Sequence, residues 1–558
     1  MNVRVWIVSI GMAAGAATAP VVAQQGPPGP PQPLGAPPVP VENPQTAAKI
    51  ALGQALFWEE QLSGTGTVAC GTCHRAFAGG ADPRSALAGA DAIHPGPDAQ
   101  RGSPDDIVAS PGVPAHGGSG LYRFDPTFGY AAQVGTRAAP SMVNAAYSPL
   151  LFWDGRAGGT FLDPATGELL IAQGAALENQ ALGPLVNAIE MSPSGAEVNA
   201  VATQLLRAVP LVLADEVPTA LSTWIAGRTY PELFADVFGS PEPTAARIAM
   251  AIASYERSLV STQTPFDSEN GGTPSLTDLE RQGRQVFVAN DCAACHSGAL
   301  LSDNDFHYIG VRPVAEDLGR FVQNGDPADR GAFRTPSLRN GELRGTFMHD
   351  GRFTTLEQVV DFYDRGGDFT APNKDARIRP RNLTAGQKSA LVAFLKRPLT
   401  DVRVTAETGP FARPRLFTEG DRAPQIVSGG RAGSGGLEPL IGAIEPPLLG
   451  SRFTVSVTQA LGGATATLVV SRADPGVQDV APQGDFHREV IALQGQGTGN
   501  GHASVNVDLG FDPALVGTTL YGRFYIEDPA APQGLAVTPA FAMTVFGESL
   551  TVFRADFE

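Results

Sequence analysis

The sequence contains few cysteines, few charged residues and few aromatic residues for its length. Of its 558 residues only four are cysteine, 17% are charged and 7% are aromatic. Four cysteines are too few to build a disulfide scaffold of this size. Acidic residues outnumber basic ones by 56 to 39, which argues against a general nucleic-acid-binding function. No run of 18 apolar residues follows the N-terminal segment, so no membrane span is expected in the mature chain.

Glycine and proline are abundant instead, with 65 and 47 residues, and they predict long loops between the elements. At 43% hydrophobic residues, the chain is too apolar to be wholly disordered. Its length allows three or four domains of roughly 150 residues each.

The first 45 residues form a segment without a predicted core. Residues 1–23 combine a single charge, Arg4, with a short apolar run that ends in Val21-Val22-Ala23. This pattern predicts a secretory signal peptide, and a transmembrane anchor fits less well because glycine and proline interrupt the run. Residues 24–45 are rich in proline and predict an extended linker. We therefore expect an exported, periplasmic protein.

Helices are predicted through the first 400 residues. The periodicity of residues 47–57 and 244–259 indicates amphipathic helices, and capping boxes that start at Thr277 and Thr384 indicate two more. Residues 79–136 are rich in glycine, proline and aspartate and predict one long loop.

The composition changes after about residue 408. Residues 409–448 predict a glycine- and proline-rich linker, and residues 449–558 predict a β-sandwich-like accessory domain without cysteine. The predicted strands lie in Phe453–Thr458, Ala464–Ser471, Glu489–Leu493, Ala503–Leu509, Thr519–Ile526 and Ala540–Phe546.

A C-x-x-C-H motif occurs twice and uses every cysteine of the chain. Its residues are Cys70, Cys73, His74, Cys292, Cys295 and His296. In c-type haem attachment the two thiols form thioethers with the haem, and the adjacent histidine binds the iron. A zinc site and a thioredoxin-like redox pair fit less well, because the motifs are far apart and each has its own histidine. The sequence therefore predicts two covalently bound haem c groups. It shows no convincing internal repeat apart from this motif.

Around the motifs the sequence resembles the bacterial di-haem cytochrome c peroxidases and the related MauG enzymes. The matching segments follow the family order: Leu52–Phe57, Leu62–Gly64, Phe152–Ala157, Gln180–Pro184, Glu190-Met191, Gly283–Phe287, Phe333–Asn340, Met348–Leu356 and Asp361–Tyr363. The resemblance implies a mainly α fold with two cytochrome c-like haem domains. The N-terminal, peroxidatic domain would span residues 46–270 and the C-terminal, electron-transfer domain residues 271–408.

The resemblance also implies roles for particular residues. His74 would be the proximal ligand of the peroxide-binding haem, and Glu190 the acid–base residue on its other face. Gln180 and Pro184 would line the same pocket, and Trp153 would lie between the haems. Without the resemblance, Glu190 fits a solvated surface glutamate and Trp153 a buried core tryptophan.

The sixth ligand of the second haem distinguishes members of the family. In the peroxidases this ligand is a methionine fourteen residues after the histidine of an H-D-G motif, and in MauG it is a tyrosine at the same position. In this chain the ligand would bind the iron on the side opposite His296. Fourteen residues after His349 stands Tyr363, on the apolar face of a predicted helix. Met348 is the alternative ligand. A phenolate would lower the potential of this haem compared with a thioether.

Two departures from the family concern calcium and the long loop. The interdomain calcium site of the family uses an asparagine in an R-N-A-P run, and residues 137–140 read Arg-Ala-Ala-Pro here. Arg344 and Thr346 occupy the positions whose backbone carbonyls would complete that site. Because the asparagine is missing, the sequence argues against a bound calcium ion. In the long loop, either His94 or His116 could be the distal ligand that caps the first haem in its resting state. The third alternative is that neither histidine binds this haem.

Three functions are compatible with these features. The leading hypothesis is a periplasmic peroxidase that reduces hydrogen peroxide with electrons from a small donor protein, a cytochrome c or a cupredoxin. The alternative is a MauG-like oxidase that modifies a protein or a small molecule, which Tyr363 favours. The third is a two-haem electron carrier without enzymatic activity.

Overall fold

The structure, a computed structural model, describes residues 34–87, 90–117, 121–192 and 198–547. The predicted signal peptide lies outside the described residues. Within these ranges no helix is long and apolar enough to cross a membrane.

The described residues form thirteen α-helices, followed mainly by strands. The helices are α1 (Ala47–Phe57), α2 (Cys70–Cys73), α3 (Ala176–Val186), α4 (Val198–Gln204), α5 (Thr219–Ile225), α6 (Tyr230–Phe238), α7 (Ala245–Glu256), α8 (Pro265–Asn270), α9 (Asp278–Ala289), α10 (Phe321–Asn324), α11 (Leu356–Asp364), α12 (Ala385–Leu395) and α13 (Val402–Thr405).

Fifteen strands complete the described elements. They are β1 (Ile93–His94), β2 (Ile107–Val108), β3 (Phe161–Leu162), β4 (Leu169–Ile171), β5 (Phe306–His307), β6 (Phe333–Arg334), β7 (Gln425–Ser428), β8 (Leu440–Ala443), β9 (Arg452–Gly462), β10 (Thr465–Ser471), β11 (His487–Ala492), β12 (Gly497–Asp508), β13 (Thr519–Glu527), β14 (Leu535–Val537) and β15 (Ala540–Thr544). Because long irregular segments separate the helices and a strand-rich region follows them, the prediction of a mainly α fold is not confirmed for the chain as a whole.

The first motif-bearing domain is organised by the crossing of α1 and α7. The side chain of Thr46 accepts a hydrogen bond from the backbone of Lys49 and so caps α1. The predicted apolar face of α7 is buried against α1. The helices meet at Gly53, where a Cβ atom would lie 1.9 Å from the carbonyl oxygen of Ala251. Only glycine permits this close approach.

The second motif-bearing domain contains the same crossing, now between α9 and α12. Thr277 and Glu280 form the predicted capping box of α9, and the box predicted at Thr384 caps α12. The helices meet at Gly283, where a Cβ atom would lie 1.9 Å from the carbonyl oxygen of Ala390. The two domains are therefore built on one plan.

A shared turn extends the repeat between the two domains. Residues 151–157 and 347–353 each form a loop whose first and last residues pair in an isolated antiparallel bridge. The second residue of each loop has a positive φ, 63° at Phe152 and 71° at Met348. The structure therefore adds a backbone repeat to the C-x-x-C-H motif, although the sequence shows no convincing repeat beyond that motif. The backbone repeats while most side chains differ, which hides the repeat from sequence inspection.

The strand-rich region consists of two antiparallel sheets. One has the strand order β11-β10-β13-β15-β7, with β14 paired to β13, and the other has the order β12-β9-β8. Buried residues of both sheets, such as Val455 of β9 and Phe541 of β15, share one core. All six predicted runs overlap strands, in the arrangement expected for a sandwich.

Much of the predicted linker 409–448 is folded, which corrects the sequence prediction. Phe411 and Leu416 are buried in the core of the first domain, and the side chain of Gln54 donates a hydrogen bond to the Ala412 carbonyl (2.7 Å). Later in the segment, β7 and β8 are edge strands of the two sheets. A few apolar side chains anchor the segment although its glycine and proline content predicts a linker.

The end of the predicted N-terminal linker is also packed. Asn43 is buried, and its Nδ2 donates hydrogen bonds to Glu178 Oε1 (2.8 Å) and to the carbonyl of Met250 (3.0 Å). The expectation of a tether without packing is therefore corrected for this part of residues 24–45.

Candidate haem sites

The first C-x-x-C-H motif presents its cysteines and its histidine from one turn. Cys70–Cys73 form α2, and His74 follows as its C-terminal cap. Nδ1 of His74 lies 3.2 Å from the carbonyl oxygen of Gly80. This acceptor places the ring proton on Nδ1, and burial lowers the pKa of His74. The imidazole is therefore neutral, and Nε2 is the nitrogen that can bind a metal.

The second motif has the same arrangement. Nδ1 of His296 lies 3.1 Å from the carbonyl oxygen of Leu301, and burial lowers the pKa of His296 as well. A backbone carbonyl thus orients each histidine as it does in metal sites. The residues present fit a haem at each motif.

A largely apolar cavity lies against the second motif. Cys292, Cys295 and His296 line it together with Met348 and Tyr363. Burial raises the pKa of Tyr363, so its phenol is neutral unless a bound metal displaces the proton. Both residues predicted as the sixth iron ligand are therefore in the cavity that His296 lines, and the choice between them stays a prediction.

Glu190 lies close to the first motif. Burial raises the pKa of the Cys70 and Cys73 thiols, and the charge of Glu190 adds to this effect at both. Glu190 is half-buried, which raises its own pKa, while the charge of Arg156 opposes that rise. Its carboxylate accepts a hydrogen bond from Asn187 Nδ2 (3.2 Å). A carboxyl group in this environment can exchange a proton with a small molecule.

Gln180 and Pro184 lie one turn apart on α3, shortly before Glu190. Both are half-buried. Between them, a Cβ atom at Gly183 would lie 3.3 Å from the ring of Phe152, and Arg156 stacks on that ring at 3.5 Å. Helix α3 therefore packs against Phe152, the residue that precedes Trp153 in the sequence. The role of both side chains in a peroxide pocket stays a prediction.

Trp153 lies between the two motif-bearing domains. Its indole Nε1 donates a hydrogen bond to the carbonyl of Ala138 (2.8 Å) in the first domain. Its own carbonyl accepts one from the backbone of Arg334 (2.9 Å) in the second. The indole lines the second cavity, and its ring centroid is 6.4 Å from that of His349. This position fits the predicted electron relay, which itself stays a prediction.

The two motif sites are close together. Gly79 lines the second cavity, while the next residue, Gly80, accepts the hydrogen bond of His74. Gly79 has a φ of 66°, and a Cβ atom there would lie 2.6 Å from the carbonyl oxygen of Asn340. The short segment between the sites is thus packed directly against the second domain.

The two histidines of the long loop, His94 and His116, contact residues outside the first C-x-x-C-H motif. His116 packs edge-on against Tyr122, with ring centroids 4.6 Å apart, and lines a cavity of about 650 Å³ between the first domain and the strand-rich region. His94 accepts a hydrogen bond from the backbone of Gly96 and lies beside Phe128. The described polar and ring contacts of either histidine do not involve the first motif.

Arg334 also lines the second cavity, a position that the sequence alone did not predict. Burial lowers the pKa of Arg334 to about 10, and its Nε has no hydrogen-bond partner among the described residues. A buried guanidinium without a carboxylate partner fits a ligand with anionic groups, and haem carries carboxylates. Arg334 lies in the segment Phe333–Asn340, which carries part of the family resemblance, and that segment is the signal that could have revealed it.

Comparisons with known proteins agree with this picture. Residues 47–274 match the family described as di-haem cytochrome c peroxidase. The chain is 32% identical over 364 residues to the methylamine utilization protein MauG of Methylorubrum extorquens, a match that covers 64% of this chain and 80% of that protein. It is 30% identical over 398 residues to the cytochrome-c peroxidase IdrP1 of Pseudomonas sp., which covers 65% and 84%.

Among solved structures, a MauG-like protein associated with microbial copper homeostasis is 27% identical, with a TM-score of 0.49 and coverage of 68% of this chain and 97% of that chain. From the sequence matches, the chain belongs to the di-haem cytochrome c peroxidase and MauG family. It is an oxidoreductase of a family whose cofactor is haem c.

Proposed function

We propose that this chain is a periplasmic peroxidase that reduces hydrogen peroxide to water with electrons from a small redox protein, a cytochrome c or a cupredoxin. One peroxide, two electrons and two protons give two molecules of water. Two covalently attached haem c groups, held by the two motif histidines and the four cysteines, would supply the iron at which the O–O bond is cleaved.

The position of Glu190 is the observation that supports this function. Peroxide must lose a proton from one oxygen and gain one on the oxygen that leaves as water. Glu190 is half-buried near Cys70 and Cys73, so its carboxylate can accept the first proton and return it to the second oxygen. Gln180 and Pro184 would shape the pocket around the peroxide.

A peroxide-consumption assay on the exported holoprotein tests the proposed reaction. With a reduced small cytochrome c as donor, we expect two donor molecules to be oxidised for each peroxide consumed. A Cys70→Ala plus Cys73→Ala variant, which keeps the second motif, serves as the control and should show no turnover. If the intact protein does not consume peroxide faster than this control variant, the proposed function is wrong.

The second candidate is a MauG-like oxidase, and Tyr363 is the observation that favours it. Tyr363 lines the cavity of the second motif and could bind the iron as a phenolate. This function predicts peroxide consumption without a donor, together with oxidation of a protein or a small molecule. An electron carrier without enzymatic activity is not supported, because the family consists of oxidoreductases.

Covalent haem attachment is expected at both motifs. The denatured mature protein should retain two haems per chain, because thioether bonds survive unfolding. A Cys292→Ala plus Cys295→Ala variant should retain one haem, as measured from the absorbance of the reduced pyridine complex. Recovery of zinc and no haem after periplasmic expression would contradict this assignment.

A further inference from the structure

A half-buried arginine, Arg344, lies at the boundary between the two motif-bearing domains. Nη2 of Arg344 donates a hydrogen bond to the carbonyl of Ala139 in the first domain (3.0 Å). Its Nε donates one to the carbonyl of Thr346 in the second (3.3 Å). Its Cγ would lie 3.0 Å from a Cβ atom built at Gly79, which shows how tightly the side chain is packed.

The charge of Arg344 has no carboxylate partner among the described residues. Burial of the guanidinium lowers the pKa of Arg344 to about 10. None of its described hydrogen bonds goes to a carboxylate, and the salt bridges of the described residues do not include it. A cation that is largely withdrawn from water and has no counter-ion is costly, so its carbonyl partners matter.

The calcium ion that the family resemblance implies at this boundary does not fit the residues present. Calcium binds six to eight oxygen atoms, preferably with carboxylates among them. Ala138 replaces the asparagine ligand, and its carbonyl already accepts the hydrogen bond of Trp153. The Thr346 carbonyl, which would complete the calcium site, accepts the hydrogen bond of Arg344 instead.

We propose that the guanidinium of Arg344 takes the place of an interdomain calcium ion, as a cation that is part of the chain and joins the two domains. Like the ion, it binds backbone carbonyls of both domains at once. It also lies next to both motif sites: Arg344 lines the second cavity, and it packs against Gly79, whose neighbour Gly80 accepts the hydrogen bond of His74. Arg344 is thus a positioning residue, which does not touch the peroxide.

The first test is calcium binding and haem potential in the wild-type holoprotein. We expect no heat of calcium binding by titration calorimetry, and no change in either haem spectrum or potential with excess chelator or calcium chloride. Spectral changes that a chelator produces and calcium reverses would overturn the proposal. These readouts do not depend on which reaction the protein catalyses.

The second test replaces the cation. Arg344→Gln should lower the midpoint potentials of both haems, because loss of a nearby positive charge favours the oxidised iron. Arg344→Lys keeps the charge and should restore most of the potential. The control, Arg330→Gln, changes an exposed arginine that stacks on Phe321 and should match the wild type.

Unchanged potentials in Arg344→Gln, or equal losses in the lysine and glutamine variants, would overturn the role of the charge. If Arg344→Gln does not fold, the calcium titration of the wild type and the potential of Arg344→Lys still decide the matter. The proposal would be contradicted if Arg344→Lys binds calcium, or if its haem potentials change when calcium is added.

Discussion

Glu190→Gln is expected to lower the rate of the reaction with hydrogen peroxide by about 10²–10⁴-fold, the usual contribution of one acid–base residue. The amide keeps the shape of the side chain and removes its ability to accept a proton. Both haem spectra should stay unchanged, because Glu190 is not expected to bind iron. Stopped-flow absorbance after mixing with peroxide measures this rate.

The pH dependence gives a second signature of Glu190. Only the deprotonated carboxylate accepts a proton, and burial raises its pKa although Arg156 opposes the rise. The rate should therefore fall as the pH is lowered, with a midpoint above about 4.3, the ordinary value of a glutamate. In Glu190→Gln this acidic limb should be absent.

Glu256 provides a matched control for Glu190. It is buried and adds, after burial, to the raised pKa of Cys70. Burial raises the pKa of Glu256 to about 8, so it is mostly protonated at neutral pH and resembles glutamine. Glu256→Gln should therefore change the peroxide rate little. A loss in Glu256→Gln with none in Glu190→Gln would mean that Glu190 does not move the proton.

Tyr363→Met is expected to raise the potential of the second haem by on the order of 0.3 V, within the range of about 0.8 V that axial ligands cover. A neutral thioether stabilises ferrous iron more than an anionic phenolate does. Since about 59 mV is a tenfold change for one electron, the equilibrium would shift by about 10⁵-fold. Spectroelectrochemical titration measures this potential. Activity should move toward donor-dependent peroxide reduction.

Tyr363→Phe separates ligation from packing. Removal of the hydroxyl group should open a coordination position and change the spin state of the second haem alone. Tyr308→Phe is the control, because the hydroxyl group of Tyr308 donates to the Arg312 carbonyl (2.8 Å) rather than facing the second cavity. If Met348→Leu changes the spectrum and Tyr363→Phe does not, Met348 is the ligand and the support for a MauG-like oxidase is lost.

The sequence by itself determined the local chemistry. Cys70, Cys73 and His74 lie within one helical turn of each other, so haem attachment can be predicted without knowledge of the fold. The capping boxes at Thr277 and Thr384 act over three residues and gave two helix starts correctly. The β-rich runs after residue 449 predicted strands correctly for a similar reason, since the pattern of a strand is contained in its own residues.

Only the tertiary structure decided which distant residues meet. Arg344 and Ala139 are about two hundred positions apart, and nothing near either residue in the sequence indicates that they share a boundary. Phe411 lies in a stretch composed like a linker, yet it is buried in the core of the first domain because that core offers an apolar surface. His116, a candidate cap in the sequence, packs against Tyr122 in the fold. Such contacts depend on chain closure over long separations, which the pattern of neighbouring residues does not encode.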